Sequence, residues 1–373
     1  MKVDKSKWNN ALIKDSIKTL RVKDAIQKKD YLLTGKYPVI SQEKDFISGY
    51  CNTKDNLNEN LGEVVIFGDH TRIVKYVDFD FCIGADGVKV LQPINKLSSK
   101  YLYYFIKWSN IPSNGYSRHF KFLRDVRIQY PEDKSIQQKI ATELDSIQTM
   151  IDGYKAQLAD LDALAQSIFL DMFGDVAINN KSWDIIPMGQ LGDFKNGLNY
   201  NKGEKGKTLK IIGVGDFQNL KAITLFDNIP SIEVESISQE YLLQNEDIVF
   251  VRSNGNKNLV GRCLEVYPNK EEVTFSGFCI RFRKSTDIVN KYLVALLTDT
   301  GFKKTHILKS NGIGIQNINQ KLLGNLPIPV PPIDLQKCFA MQVKTIERQK
   351  ELIRQQLADA EQLMAERMQY YFS

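Results

Sequence analysis

From residue 140 to residue 172 the apolar positions Ile140, Leu144, Ile147, Ile151, Tyr154, Leu158, Leu161, Ala165, Ile168 and Met172 alternate spacings of four and three without a break. That is the a/d stripe of a coiled coil. A second stripe, Phe339, Val343, Ile346, Ile353, Leu357, Ala360, Met364 and Tyr371, keeps the register but is interrupted at Lys350 and Arg367. The two segments are copies. Laying residue n on residue n+199 aligns 136–173 with 335–372 without a gap, and Gln137/Gln336, Ala141/Ala340, Ile147/Ile346, the run 157–160 on 356–359 (Gln-Leu-Ala-Asp), Leu164/Leu363 and Phe173/Phe372 are identical.

No proline interrupts either stripe, and only Gly153 is a poor helix former. Two helices of about 38 residues, each roughly 57 Å long at 1.5 Å per residue, are expected. Pro131 precedes the first and Pro327, Pro329, Pro331 and Pro332 the second, fixing extended approaches that cannot be helical. Ser135 and Asp334 are the expected N-caps, Gly174 the stop of the first helix, and 179–182 (Asn-Asn-Lys-Ser) a linker. The chain therefore divides into a globular unit at 1–134, a long helix at 135–174, a second globular unit at 175–332 and a second long helix at 333–373.

Each globular unit reads as α+β with many short strands. In the first, GEVVIFGD (62–69), TRIVKYVDFDF (71–81) and GVKVLQPI (87–94) are β-branched and aromatic runs punctuated by Gly and Asp, followed by a helical KYLYYFIKWS (100–109). In the second, EDIVFVRSNGNKNLVGRCLEVY (246–267) gives strand, turn and strand. FSGFCIRFRK (275–284) adds another, and NKYLVALLTD (290–299) the matching helix. The same order twice suggests that the whole unit is duplicated.

Charge sharpens this division. Residues 1–130 carry 22 Lys+Arg against 14 Asp+Glu and residues 181–330 carry 19 against 15, whereas 131–180 carry 3 against 9 and 331–373 balance at 6 and 6. Two basic units joined by acidic or neutral helices suit two surfaces facing a polyanion. The opening MKVDKSKWNN has no apolar signal region and no apolar run reaches membrane-spanning length, so no membrane partner is expected and the cytoplasm is the expected location. Five cysteines with no CxxC pair and three histidines argue for free thiols and no metal.

Catalytic motifs fail one by one. GEKGKT at 203–208 lacks the glycine that a phosphate loop needs at Asn201; GxSxG, HExxH and GxGxxG are missing, as is an aminomethyltransferase Asn-Pro-Pro or Asp-Pro-Pro followed by an aromatic residue. The Glu-x-Lys at 132–134 lies at a helix start. The expectation is a chain without catalysis or bound cofactor of its own. What remains is basic residues interleaved with small polar ones on turns, the material of nucleic-acid contacts. Candidates are Arg252, Ser253, Asn254 and Lys257, then Lys309 and Asn311, in the second unit, and His70, Thr71, Arg72 and Lys75, then Arg118, His119 and Lys121, in the first. Ordinary solvated β-turns would show the same composition.

Trp183-Asp184 with Leu191-Gly192-Asp193, EDIVFVRSNG with Val260-Gly261-Arg262, and LPIPVPPIDLQ entering the last helix carry a resemblance. With FGDHTRIVKYVDFDFCIGADGVKVL in the first unit, the chain resembles the DNA-specificity subunits of type I restriction-modification systems over essentially its whole length. The first unit departs from the pattern: Trp8 has no following Leu-Gly-Asp, and IQYPEDKSIQQ keeps one proline. The resemblance implies two target recognition domains that each contact half of a split double-stranded DNA sequence, held apart by long helices packed as an antiparallel coiled coil with a pseudo-twofold internal repeat. It also implies two methyltransferase subunits carrying S-adenosylmethionine, and a restriction subunit using ATP and Mg. The rivals are a coiled-coil adaptor whose basic domains have no sequence-specific DNA role, and an enzyme with an unrecognised site.

Overall fold

The computed structural model describes every residue except 1–2, 85–86, 114, 116, 201–204, 218–221, 257–258 and 309–316. The chain forms two compact units, Met1–Gln157 with Ile353–Ser373 and Leu158–Leu352, so each long helix contributes part of its length to each unit. The fold is α+β. No helix among the described residues is long and apolar enough to cross a membrane.

In the first unit β1 (Asn9–Leu12), β2 (Ile17–Thr19), β3 (Tyr37–Ile40), β4 (Gly49–Cys51), β5 (Leu57–Asn58), β6 (Val64–Gly68), β7 (Val74–Val77), β8 (Phe81–Ile83), β9 (Val88–Pro93) and β10 (Arg127–Tyr130) build the sheets. One sheet runs β2-β9-β6-β7, all antiparallel; a second runs β4-β3-β8-β5, with β3 parallel to β8; β1 pairs with β10. Its longer helices are α1 (Ser99–Trp108), α2 (Phe120–Arg124) and the long α3 (Lys134–Phe173). Successive residues of a strand point to opposite faces, and β6 uses both. Val65 and Phe67 join Tyr101, Leu102 and Phe105 of α1 in one core, while Val64 and Ile66 join Ile40 and Phe81 of the second sheet in another.

The second unit holds β11 (Asp184–Pro187), β12 (Gly192–Asn196), β13 (Lys207–Ile212), β14 (Ala222–Ile223), β15 (Ser231–Val234), β16 (Asp247–Val251), β17 (Cys263–Val266), β18 (Val273–Phe275), β19 (Cys279–Lys284) and β20 (Pro327–Val330), with α4 (Asn290–Thr298), α5 (Gln320–Gly324) and the long α6 (Ile333–Phe372). Its sheets run β12-β19-β16-β17-β14 and β15-β13-β18, with β13 parallel to β18, and β11 pairs with β20. This is the first unit's order with one short strand moved. β16 also serves two cores: Ile248 and Phe250 pack with Tyr292 and Leu293 of α4, and Val249 and Val251 with Ile212 and Phe275.

The repeated residues do the same work in each unit. The Gln137 side-chain amide donates to the Pro131 carbonyl at 2.7 Å and accepts from the Ser98 amide, the N-cap of α1, at 2.8 Å. Gln336 donates to the Pro331 carbonyl at 2.7 Å and accepts from the amide of Val289, the N-cap of α4, at 2.9 Å. Both glutamines are essentially fully buried, a position at which an amide persists only with its polar atoms satisfied. The Tyr101 hydroxyl donates to the Gln129 carbonyl at 2.8 Å and that of Tyr292 to the Pro329 carbonyl at 2.7 Å. The Tyr101 ring packs edge-on against Phe372 with centroids 5.3 Å apart, as Tyr292 packs against Phe173 at 4.6 Å.

α3 and α6 are 40 residues each and offset by the same 199 positions at both ends. Of the stripe positions Ile140, Leu144, Ile147, Ile151, Phe339, Ile346 and Met364 are buried, whereas Leu158, Leu161, Ile168, Val343, Ile353 and Leu357 are half-buried. Lys350, an interruption in the stripe, is buried with its ammonium 3.1 Å from Asp162 and 3.0 Å from Glu347, and Arg367 pairs with Glu143 at 2.8 Å. The expected N-caps are corrected. Lys134 and Ile333 already begin the helices, so Ser135 and Asp334 lie inside the first turn. Asp133 takes the capping role, its carboxylate accepting from the Ser135 amide at 2.8 Å.

Candidate nucleic-acid interface

In each unit the candidate residues follow the central strand. After β6 the chain turns tightly, with the Arg72 amide on the Gly68 carbonyl at 2.8 Å and Arg72 at φ 61°. Asp69 organises this turn. Its carbonyl accepts the His119 amide at 2.8 Å and lies 2.9 Å from His119 Nδ1, its carboxylate accepts the Phe120 amide at 2.7 Å, and its own amide donates to the Gly87 carbonyl at 2.7 Å. Gln42, after β3, accepts from the His70 amide through its side chain and from the Thr71 hydroxyl through its carbonyl, at 3.1 and 2.7 Å. The turn at His70–Arg72 and the segment at Arg118–Lys121, far apart in sequence, are thus drawn together.

The second unit repeats the arrangement after β16. The Arg252 amide donates to the Phe278 carbonyl at 2.8 Å, the Arg252 carbonyl accepts the Ile318 amide at 2.8 Å, and Ser253 bridges to Asn317. Asp69 and Arg252, Gly87 and Phe278, and His119 and Ile318 therefore occupy matching places in the two units. The Asn254 side chain accepts the Asn256 amide at 2.7 Å, closing a local turn. Lys257, Lys309 and Asn311 lie outside the described residues.

Thr71, Arg72, Arg118 and Lys121 are exposed, and Arg252, Ser253 and Asn254 half-exposed. Arg72 also donates to the Ile111 carbonyl at 2.8 Å, beside a cleft of about 400 Å³ lined by Lys107, Ser109 and Asn110 among others. Two candidates are corrected. Lys75 is only 4% exposed and its ammonium donates to the Asp45 and Phe46 carbonyls at 2.5 and 3.2 Å; burial pushes its pKa below the ordinary lysine value. His119 is 1% exposed and serves the Asp69 contact. Neither side chain reaches a ligand at the surface; both hold the loops that carry the exposed residues. Sequence reasoning missed Asp69, Gln42 and Asn317. The acid in FGDH (67–70) is the one signal available, since a lone carboxylate ending a buried strand among basic turns must find backbone donors.

Exposed cations, amides and hydroxyls on braced turns can donate to phosphate oxygens and base edges. Among the described residues no group of His, Cys, Asp and Glu is arranged to hold a metal ion. The family model for the type I restriction modification DNA specificity domain matches residues 5–162 and 180–362. The chain belongs to that family. Each matched segment of this DNA specificity chain contains one complete loop cluster. The StySPI specificity subunit of Salmonella potsdam is 24% identical over 72% of the chain, and the EcoR124I/EcoR124II specificity subunit of Escherichia coli 23% identical over 84%. The chain spans 63% and 80% of their lengths. The S subunit of the type I restriction-modification system from M. genitalium shares the fold, at a TM-score of 0.60 and 16% identity, covering 100% of this chain and 98% of that one.

Proposed function

We propose that this chain is the sequence-reading, non-catalytic subunit of a type I restriction-modification complex, and that each unit contacts one half of a split double-stranded DNA target. The observation that carries this reading is the matched pair of loop clusters, one per unit, each held on the end of the central strand by the same backbone bonds. His70, Thr71, Arg72, Arg118 and Lys121 contact the first half-site. Arg252, Ser253 and Asn254, with Lys257, Lys309 and Asn311, contact the second.

α3 and α6 form an antiparallel coiled coil that sets the spacing, related by a pseudo-twofold repeat. Within the first unit Lys155 pairs with Glu361 at 3.0 Å and the Tyr371 hydroxyl donates to Glu143 at 2.7 Å; within the second, Phe173 packs on Phe339 at 5.3 Å. Partner numbers fall on one helix as they rise on the other, which supports opposed directions. Gln157, Ala159 and Asp160 and their copies Gln356, Ala358 and Asp359 are exposed, as are Leu164 and Leu363 at 46% and 38%. Identity at solvent positions supports two like docking faces for two methyltransferase subunits, the carriers of S-adenosylmethionine. A restriction subunit supplies ATP- and Mg-dependent cleavage. The complex works in the cytoplasm, and this chain binds no cofactor itself.

Sequencing methylated adenines in a host that expresses the chain with its methyltransferase tests the reading. A motif of two short half-sites with an unread spacer is expected. Methylation without a split motif would sink it and favour an adaptor role.

A further inference from the structure

We infer that Phe278 is a specificity-determining residue of the second unit, its ring packing on the 5-methyl group of a thymine in that half-site. The inference rests on the DNA-reading function proposed above. Phe278 is 62% exposed, while the neighbouring phenylalanines Phe250, Phe275 and Phe282 are fully buried. Its exposure is built in by the backbone. Ser276–Cys279 is a β-turn closed by the Cys279 amide on the Ser276 carbonyl at 2.8 Å, and the Phe278 carbonyl takes the amides of Arg252 and Ser253 at 2.8 and 3.4 Å. The backbone that carries the ring is thus fixed beside the residues expected to contact DNA.

A phenyl ring neither donates nor accepts strong hydrogen bonds, so among base edges in the major groove it can distinguish the thymine methyl, the apolar group displayed there. The matching place in the first unit is closed to such a side chain. Gly87 stands there at φ 86°, and a Cβ would lie 2.7 Å from Cδ2 of His70. The two units share a scaffold but present an imidazole-backed glycine on one side and a free aromatic ring on the other, which gives the half-sites different chemistry.

The test uses the full-length chain assembled with its methyltransferase subunits and duplexes carrying the wild-type motif. At one thymine of the second half-site, replacement by deoxyuridine should slow wild-type methylation about tenfold, within the range for one mismatched base pair. Phe278→Ala should methylate the thymine and deoxyuridine duplexes equally while keeping the first half-site, and Phe278→Leu should restore part of the preference. Unchanged discrimination in Phe278→Ala, or an equal loss on every sequence, would overturn the inference. So would 2-aminopurine fluorescence that rises on wild-type binding alone, the sign of a ring wedged between bases. Wild-type complex without any sequence preference would overturn the DNA-reading function itself, a result separate from these.

Discussion

The two units are built from one plan and finished differently. The same strand order but for one short strand, the same glutamine clamp on a helix N-terminus and the same tyrosine–phenylalanine pair recur, yet matching loop positions hold Asp69 and Arg252, or Gly87 and Phe278. The difference teaches which parts of the sequence answer to folding and which to recognition. Contacts that close a unit repeat, and residues on the loops at the strand ends diverge.

The comparison breaks most readily at the buried aromatic joints. Phe173→Ala and Phe372→Ala should each cost about 3 to 5 kcal/mol in urea unfolding, the usual range for a core aromatic truncated to alanine. Similar costs are expected because each ring meets the equivalent tyrosine; a large cost for one and none for the other would deny that the units are alike. Gln137→Leu and Gln336→Leu, which strip a buried carbonyl and a helix-cap amide of their partner, should each cost about 2 to 3 kcal/mol in the same measurement.

Arg252→Ala and Lys75→Ala separate recognition from scaffolding. Arg252→Ala should weaken DNA binding by about 1 to 3 kcal/mol without moving the unfolding midpoint, whereas Lys75→Ala should lower stability by about 1 to 3 kcal/mol and leave the target sequence unchanged. The smallest effect is expected at Lys121. It is exposed and proposed to contact the DNA, so its loss, if it meets a phosphate, should weaken binding equally on all sequences and reduce the slope of log affinity against log salt by about 1.

Much of this plan is legible in the chain. The a/d stripe and its 199-residue repeat mark α3 and α6, because heptad spacing is a local property. VVIFG and DIVFV announce β6 and β16 as strands buried on both faces. The second sheet of each unit is not legible, since β3 and β13 gain their place from parallel pairing with β8 and β18, well downstream. Nor can sequence separate Lys75 from Lys121. Both are cations near aromatic residues, and only tertiary packing turns one onto the Asp45 and Phe46 carbonyls and leaves the other in water. Capping was misread by two residues at the first helix, as Asp133 and Ser135 both carry the required oxygen and only the helix start at Lys134 separates them.

In the proposed function two like units read two half-sites at a distance set by the long helices. Inserting one heptad in phase into each helix and sequencing the methylated motif tests it most directly. Seven residues at 1.5 Å each add about 10 Å, or roughly three base pairs, so both half-sites should persist with the unread spacer lengthened by about that amount. A motif with its original spacing would contradict the account.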